Sequence, residues 1–80
     1  MKMTSEEIRI FNLVSGYVKK YLGQLQDCEL DARAGVCRLT FKSDKGQIRS
    51  VTFFKDQFDH AVVKNELGEA IIKNIDEALQ

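Results

Sequence analysis

Three short runs between Leu25 and Phe54 limit what this chain can fold into. LQDCELDA, VCRLTFK and QIRSVTFF are strand-like and are separated by the turn signals Arg33-Ala34-Gly35 and Asp44-Lys45-Gly46. Two consecutive hairpins predict an antiparallel meander. Successive strand residues point to opposite faces, so Cys28, Leu30 and Ala32 share one face of the first strand and Asp27, Glu29 and Asp31 the other. On the second strand Cys37, Leu39 and Phe41 oppose Arg38, Thr40 and Lys42. A tight turn centred on Ala34 and Gly35 places Ala32 across from Cys37, Leu30 from Leu39 and Cys28 from Phe41. The same register sets Asp31 against Arg38 and Asp27 against Lys42 as cross-strand ion pairs.

The second hairpin leaves two phases open. Asp44-Lys45-Gly46 suits a type I turn closed by a left-handed Gly46, with Ser43 facing Gln47. Val51 and Phe53 then join the buried side and leave Ile48 and Phe54 outside. The opposite phase buries Ile48 and Phe54. In either phase one phenylalanine of the Phe53-Phe54 pair lacks a place within the sheet.

Helices flank the meander. Thr4-Ser5-Glu6-Glu7 is a capping box, and Ile10, Phe11, Val14, Tyr17, Val18, Tyr21 and Leu22 follow at helical spacing. Lys19 and Lys20 complement the helix dipole, Gly23 suits the residue that stops the helix, and Gly16 falls on the outward face. After the sheet, Asp56 and Asp59 resemble a second helix start. Phe58, Ala61 and Val62 mark one apolar face, whereas Leu67, Ile71, Ile75, Ala78 and Leu79 mark a face turned by about a third of a revolution at 3.6 residues per turn. That phase shift predicts a break or kink between Lys64 and Gly68. Asp76 and Glu77 oppose the dipole near the carboxyl end, which predicts fraying there. The fold class expected is α+β in the order α-β-β-β-α, with the helices on the Cys28, Leu30, Leu39 and Phe41 face and the other face open to solvent.

Length and charge narrow the function. Eighty residues, 44% hydrophobic and 30% charged, suit a single domain over residues 1–80. Twelve basic residues balance twelve acidic ones, so there is no net field to attract nucleic acid or an anionic membrane. No apolar run approaches the roughly 20 residues of a membrane span, and Glu6, Glu7 and Arg9 interrupt any signal-like start, which points to a cytoplasmic protein. His60 is the sole histidine and falls on a helix surface. The acidic row Asp27, Glu29, Asp31 lacks the loop that gathers ligands around calcium, and no phosphate-cradling glycine pattern or nucleophile motif occurs. These residues predict neither catalysis nor a bound metal or cofactor.

The order α-β-β-β-α resembles that of the double-stranded RNA-binding domain, which implies nucleic-acid binding as the alternative function. That family opens its second helix with a lysine cluster, where this chain has Lys55-Asp56-Gln57-Phe58-Asp59, and its Gly-Pro-x-His loop has no counterpart. Protein contact is the favoured reading. The first strand is an edge guarded by three acids, whereas Ile48-Arg49-Ser50-Val51-Thr52-Phe53-Phe54 is an edge with one charge and strong β-propensity. Ile48, Ser50, Thr52 and Phe54 are therefore the expected contact residues of a non-catalytic subunit, adaptor or inhibitor. Its partner would be another protein or a second copy of the chain.

The register also makes a prediction about the two cysteines. Cys28 lies four residues along the ladder from the partner of Cys37, near 13 Å at about 3.3 Å per residue, too far for a disulfide. A non-reducing mass spectrum with both thiols alkylated by iodoacetamide is expected, and an intramolecular bond would refute the register.

Overall fold

The computed structural model describes residues 3–80 and orders them as α1 (Ser5–Leu22), β1 (Leu25–Arg33), β2 (Val36–Ser43), β3 (Ile48–Phe54), α2 (Lys55–Lys64) and α3 (Gly68–Leu79). The sheet is the expected meander with β2 in the centre. Its first register is the one that satisfies both faces, with Cys28 opposite Phe41, Leu30 opposite Leu39, Asp31 opposite Arg38 and Ala32 opposite Cys37. Ala34 and Gly35 both take positive φ, 51° and 78°, as a two-residue turn matched to strand twist requires.

A bulge interrupts the ladder between Leu25 and Asp27. The extra residue shifts the alternation, so Leu25 joins Cys28 against the core instead of the acidic face. Ser43 caps the far end of β2. It is fully buried, and its hydroxyl accepts from the amides of Lys45 (3.3 Å) and Gln47 (3.1 Å) inside the second turn. Gly46, at φ 83°, donates to the Ser43 carbonyl at 3.0 Å, which closes the type I turn. This turn selects the phase that buries Val51 and Phe53 beside Leu39 and Cys37.

One core lies between the sheet and the helices. From α1 it takes Ile10, Val14, Val18 and Leu22, from the sheet Cys37, Leu39, Phe41, Val51 and Phe53, and from the last helices Phe58, Ala61, Ile71 and Ile75. Phe53 stacks on Phe58 with ring centroids 5.9 Å apart. The Thr4 capping box is complete in both directions, and Gly23 ends α1 by donating to the Lys19 carbonyl. The predicted break falls at Asn65, whose left-handed backbone ends α2 and reorients the chain so that Ile71 and Ile75 also reach the core. Both thiols are free, Cys37 buried and Cys28 half-buried.

Three details differ from the sequence reading. The second helix starts at Lys55, because the Gln57 side chain accepts from the Phe54 amide at 3.1 Å and does the work assigned to Asp56. Ala78 is exposed, leaving Ile71 and Ile75 as the buried pair. Asp31 pairs with Arg33 on its own strand at 3.0 Å, and among the described residues neither Asp31–Arg38 nor Asp27–Lys42 closes to an ion pair. Residues two apart in one strand share a face, and Arg33 at the strand end is free to fold back. The register therefore rests on the apolar face.

Ala34 holds a left-handed conformation that costs an L-residue with a Cβ roughly 1–2 kcal/mol, and asparagine tolerates it better. Ala34→Asn is expected to stabilise the protein by about 1 kcal/mol, read as a raised urea midpoint at unchanged slope.

Candidate functional site

The outer side of β3 is one of the two open edges of the sheet. Two hydrogen bonds bracket the β2–β3 ladder: Ser43 donates to the Gln47 carbonyl at 2.9 Å, and Lys55 donates to the Gly35 carbonyl at 2.8 Å. Hydrogen-bonded and non-bonded pairs alternate between them, so Arg49, Val51 and Phe53 exchange bonds with β2. The amides and carbonyls of Ile48, Ser50, Thr52 and Phe54 consequently point away from the sheet. Among the described residues, Phe54 alone of these amides is satisfied locally, through Gln57.

The side chains of the same four residues lie on the solvent face. Ile48 is 60% exposed and Phe54 66% exposed. Ser50 and Thr52 lie between them and are also exposed, with Ser50 Oγ 3.3 Å from Thr40 Oγ1. All four expected contact residues thus form one continuous strip that presents both backbone hydrogen-bonding groups and side chains. Phe54 pairs across the ladder with Val36, itself 37% exposed. An open notch of about 230 Å³ wraps the strand end there, lined by Val36, Thr52, Phe53, Phe54, Gln57 and Asn74. Two amide side chains and the Thr52 hydroxyl edge a hollow otherwise lined by Val36, Phe53 and Phe54, with Asn74 Nδ2 donating to Gln57 Oε1 at 3.4 Å.

The remainder of the open face is polar. Asp27, Glu29 and Asp31 run along β1, with Arg38 and Lys42 beside them on β2. At the start of α2, Lys55 Nζ lies 2.7 Å from Asp59 Oδ1. His60 is exposed. Among the described residues no three His, Cys, Asp or Glu side chains converge as a metal ion would require, and no helix is long and apolar enough to cross a membrane.

The main electrostatic cluster joins α1 to α3. The hydroxyls of Tyr17 (2.8 Å) and Tyr21 both donate to Asp76 Oδ1, and Lys20 Nζ sits 4.3 Å over the Tyr17 ring. Hydrogen bonds from Tyr21 and then Tyr17 hold the Asp76 carboxyl below the usual carboxylate range, and the Asp76 acceptor pushes both phenols up. This corrects the expected fraying of the last turn, because Asp76 is an anchor for α3. The sequence placed the two tyrosines on an apolar stripe, and their spacing of four residues was the available sign of a paired donor.

No protein-family model matches the chain, and no curated protein or solved structure is significantly similar to it.

The anchor's pH dependence follows from which form makes the bonds. Protonating Asp76 weakens the acceptor, so this stabilisation is present above the unfolded carboxylate value of about 3.9 and is lost as pH falls through the lower folded value. Ionising a tyrosine removes a donor, so the same stabilisation is present below about 10 and is lost as pH rises through the raised folded values. Asp76→Ala is expected to lower the urea midpoint at neutral pH, with a deficit relative to wild type that shrinks below pH about 4 and above pH about 10.

Proposed function

We propose that this chain is a non-catalytic protein-interaction module that works by strand addition to β3. One observation carries the reading: Ile48, Ser50, Thr52 and Phe54 combine outward backbone groups, exposed side chains and two large apolar residues on a rim bearing no acid. Sheet edges of this kind take extended segments, with main-chain bonds giving affinity and alternate side chains giving specificity. The notch at Val36, Phe54 and Asn74 is of a size to take one apolar side chain of such a segment.

The other edge is a poorer host. Its solvent-facing residues Asp27, Glu29 and Asp31 oppose an added strand with like charge or require a basic one, which is how natural sheets guard an edge. The nucleic-acid alternative finds less support. Stacking on the open face would have to rely on Phe54, the acids of β1 repel phosphate, and Lys55 is already engaged by Asp59. A subunit, adaptor or inhibitor acting in the cytoplasm fits the module best.

The test uses a proline that the sheet itself tolerates. The Thr52 amide points outward, so Thr52→Pro removes a bond from an incoming strand without removing one from the β2–β3 ladder. Affinity capture from the source cells with the wild-type chain is expected to retain a defined partner that Thr52→Pro and Phe54→Ser both release, while circular dichroism of the variants stays native. A partner held equally by all three baits would refute the edge as the contact.

A further inference from the structure

We propose that the strand added to β3 is β3 of a second copy, antiparallel about a two-fold axis through Val51. The proposal rests on the edge reading above and adds the partner and the alignment. In an antiparallel hydrogen-bonded pair the two residues exchange both bonds, so outward-pointing residues must meet outward-pointing residues. Only Ile48, Ser50, Thr52 and Phe54 qualify on this rim, so the alignments available to a symmetric pair differ by steps of two residues.

One of these alignments matches the side chains along the whole rim, with the Phe54 amide remaining on Gln57. Setting Val51 opposite its own copy puts Ser50 against Thr52 of the second copy and Ile48 against Phe54, each twice by symmetry. The two most exposed apolar residues of the rim cover each other, and the hydroxyl residues meet in the middle beside four new backbone bonds. Sliding by two residues sets Ile48 against Thr52 and Phe54 against Gly46, or Ser50 against Phe54 and Ile48 against Asp56. Both slides leave an apolar residue facing a polar residue or a glycine. Isologous pairing is also closed, whereas β1 of one copy on β3 of the next would propagate without end.

Charge and shape agree with this arrangement. Arg49 is the sole charged residue of the strand, and it falls opposite Phe53 of the second copy, with its own counterpart about 13 Å along the ladder at 3.3 Å per residue. Where the rim meets α3, Asn74 borders the notch, and the helix presents Ala70 and Ala78 one turn to either side, both exposed. Short side chains on that flank let the α3 helices of the two copies approach across the axis. Ile48 of the second copy packs against the outer side of Phe54, with Val36 on the inner side of the same residue. The result is a continuous six-stranded sheet with the helices of both copies on one face.

Native mass spectrometry and light scattering on the full chain at up to about 100 μM, where a micromolar dimer is near saturation, are expected to show a two-chain species. The alignment is tested by two double variants of equal size. Ile48→Glu with Phe54→Lys places opposite charges across the axis, and Ile48→Glu with Phe54→Glu places like charges there. The first is expected to dimerise at least about tenfold more tightly than the second. Equal dimerisation by the two would overturn the alignment. A wild-type chain that stays monomeric overturns the second-copy proposal while leaving the edge reading to the capture experiment. A dimer unaffected by Thr52→Pro places the self-contact elsewhere and overturns the second-copy proposal, again leaving the edge reading to the capture experiment.

Discussion

The period-two alternation of β2 is the constraint on which the rest of the structure depends. Cys37, Leu39, Phe41 and Ser43 are buried on one side of that strand, and Arg38 and Lys42 are exposed on the other. A central strand of this kind can be covered by helices on one face only, so both flanking strands must match their apolar residues to it. A slip of one residue would move a whole apolar set into water, at about 1.5–3 kcal/mol for each large side chain. No other local preference in the chain approaches that cost. It explains how the first register holds without its expected ion pairs, which at exposed positions are worth at most about 1 kcal/mol.

What was legible in the sequence follows from the same argument. The meander, the cap on α1, the break before Gly68 and the partners of Cys28, Leu30 and Ala32 are set by short-range patterns with a strong apolar component, and the structure agrees with each. The phase of β3 was not decidable from its own residues, because Ile48 and Phe54 are as apolar as Val51 and Phe53. The turn decided it. Ser43 buries its hydroxyl against the amides of Lys45 and Gln47, a local bond that fixes which of the two phases the Asp-Lys-Gly turn adopts.

The largest feature that escaped the sequence is long-range and polar. Tyr17 and Tyr21 read as part of an apolar stripe because a phenol is mostly ring, and only the approach of α3 gives their hydroxyls a common acceptor in Asp76. The bulge at Gln26 is likewise invisible locally, since LQDCELDA alternates acceptably with or without it. Its effect is to return Leu25 to the core face, close to where the chain leaves α1 at Gly23. At the candidate site the sequence named the four residues from side-chain pattern alone. That their backbone groups also point outward depends on the parity of the ladder, which the Ser43–Gln47 and Lys55–Gly35 bonds fix from its two ends.

The openness of the β3 edge is a consequence of how the last two helices are tied. Lys55 follows Phe54 directly into α2, so no connecting segment is available to run back along the rim. Phe53 and Phe58 then fasten the start of α2 beneath the sheet, and the left-handed Asn65 sends α3 back under the same face. There the Tyr17 and Tyr21 hydroxyls draw Asp76 toward α1, away from the rim, and turn the short-chain flank of Ala70, Asn74 and Ala78 outward. Each of these ties favours the core, and together they leave uncovered the one strand edge that carries no acidic guard. A chain under selection only to stay monomeric would be expected to place a charge at Ser50 or Thr52, where a single lysine blunts an edge at little cost to the fold. Two hydroxyls flanked by isoleucine and phenylalanine instead leave that edge without a charged guard, as the proposed strand addition requires.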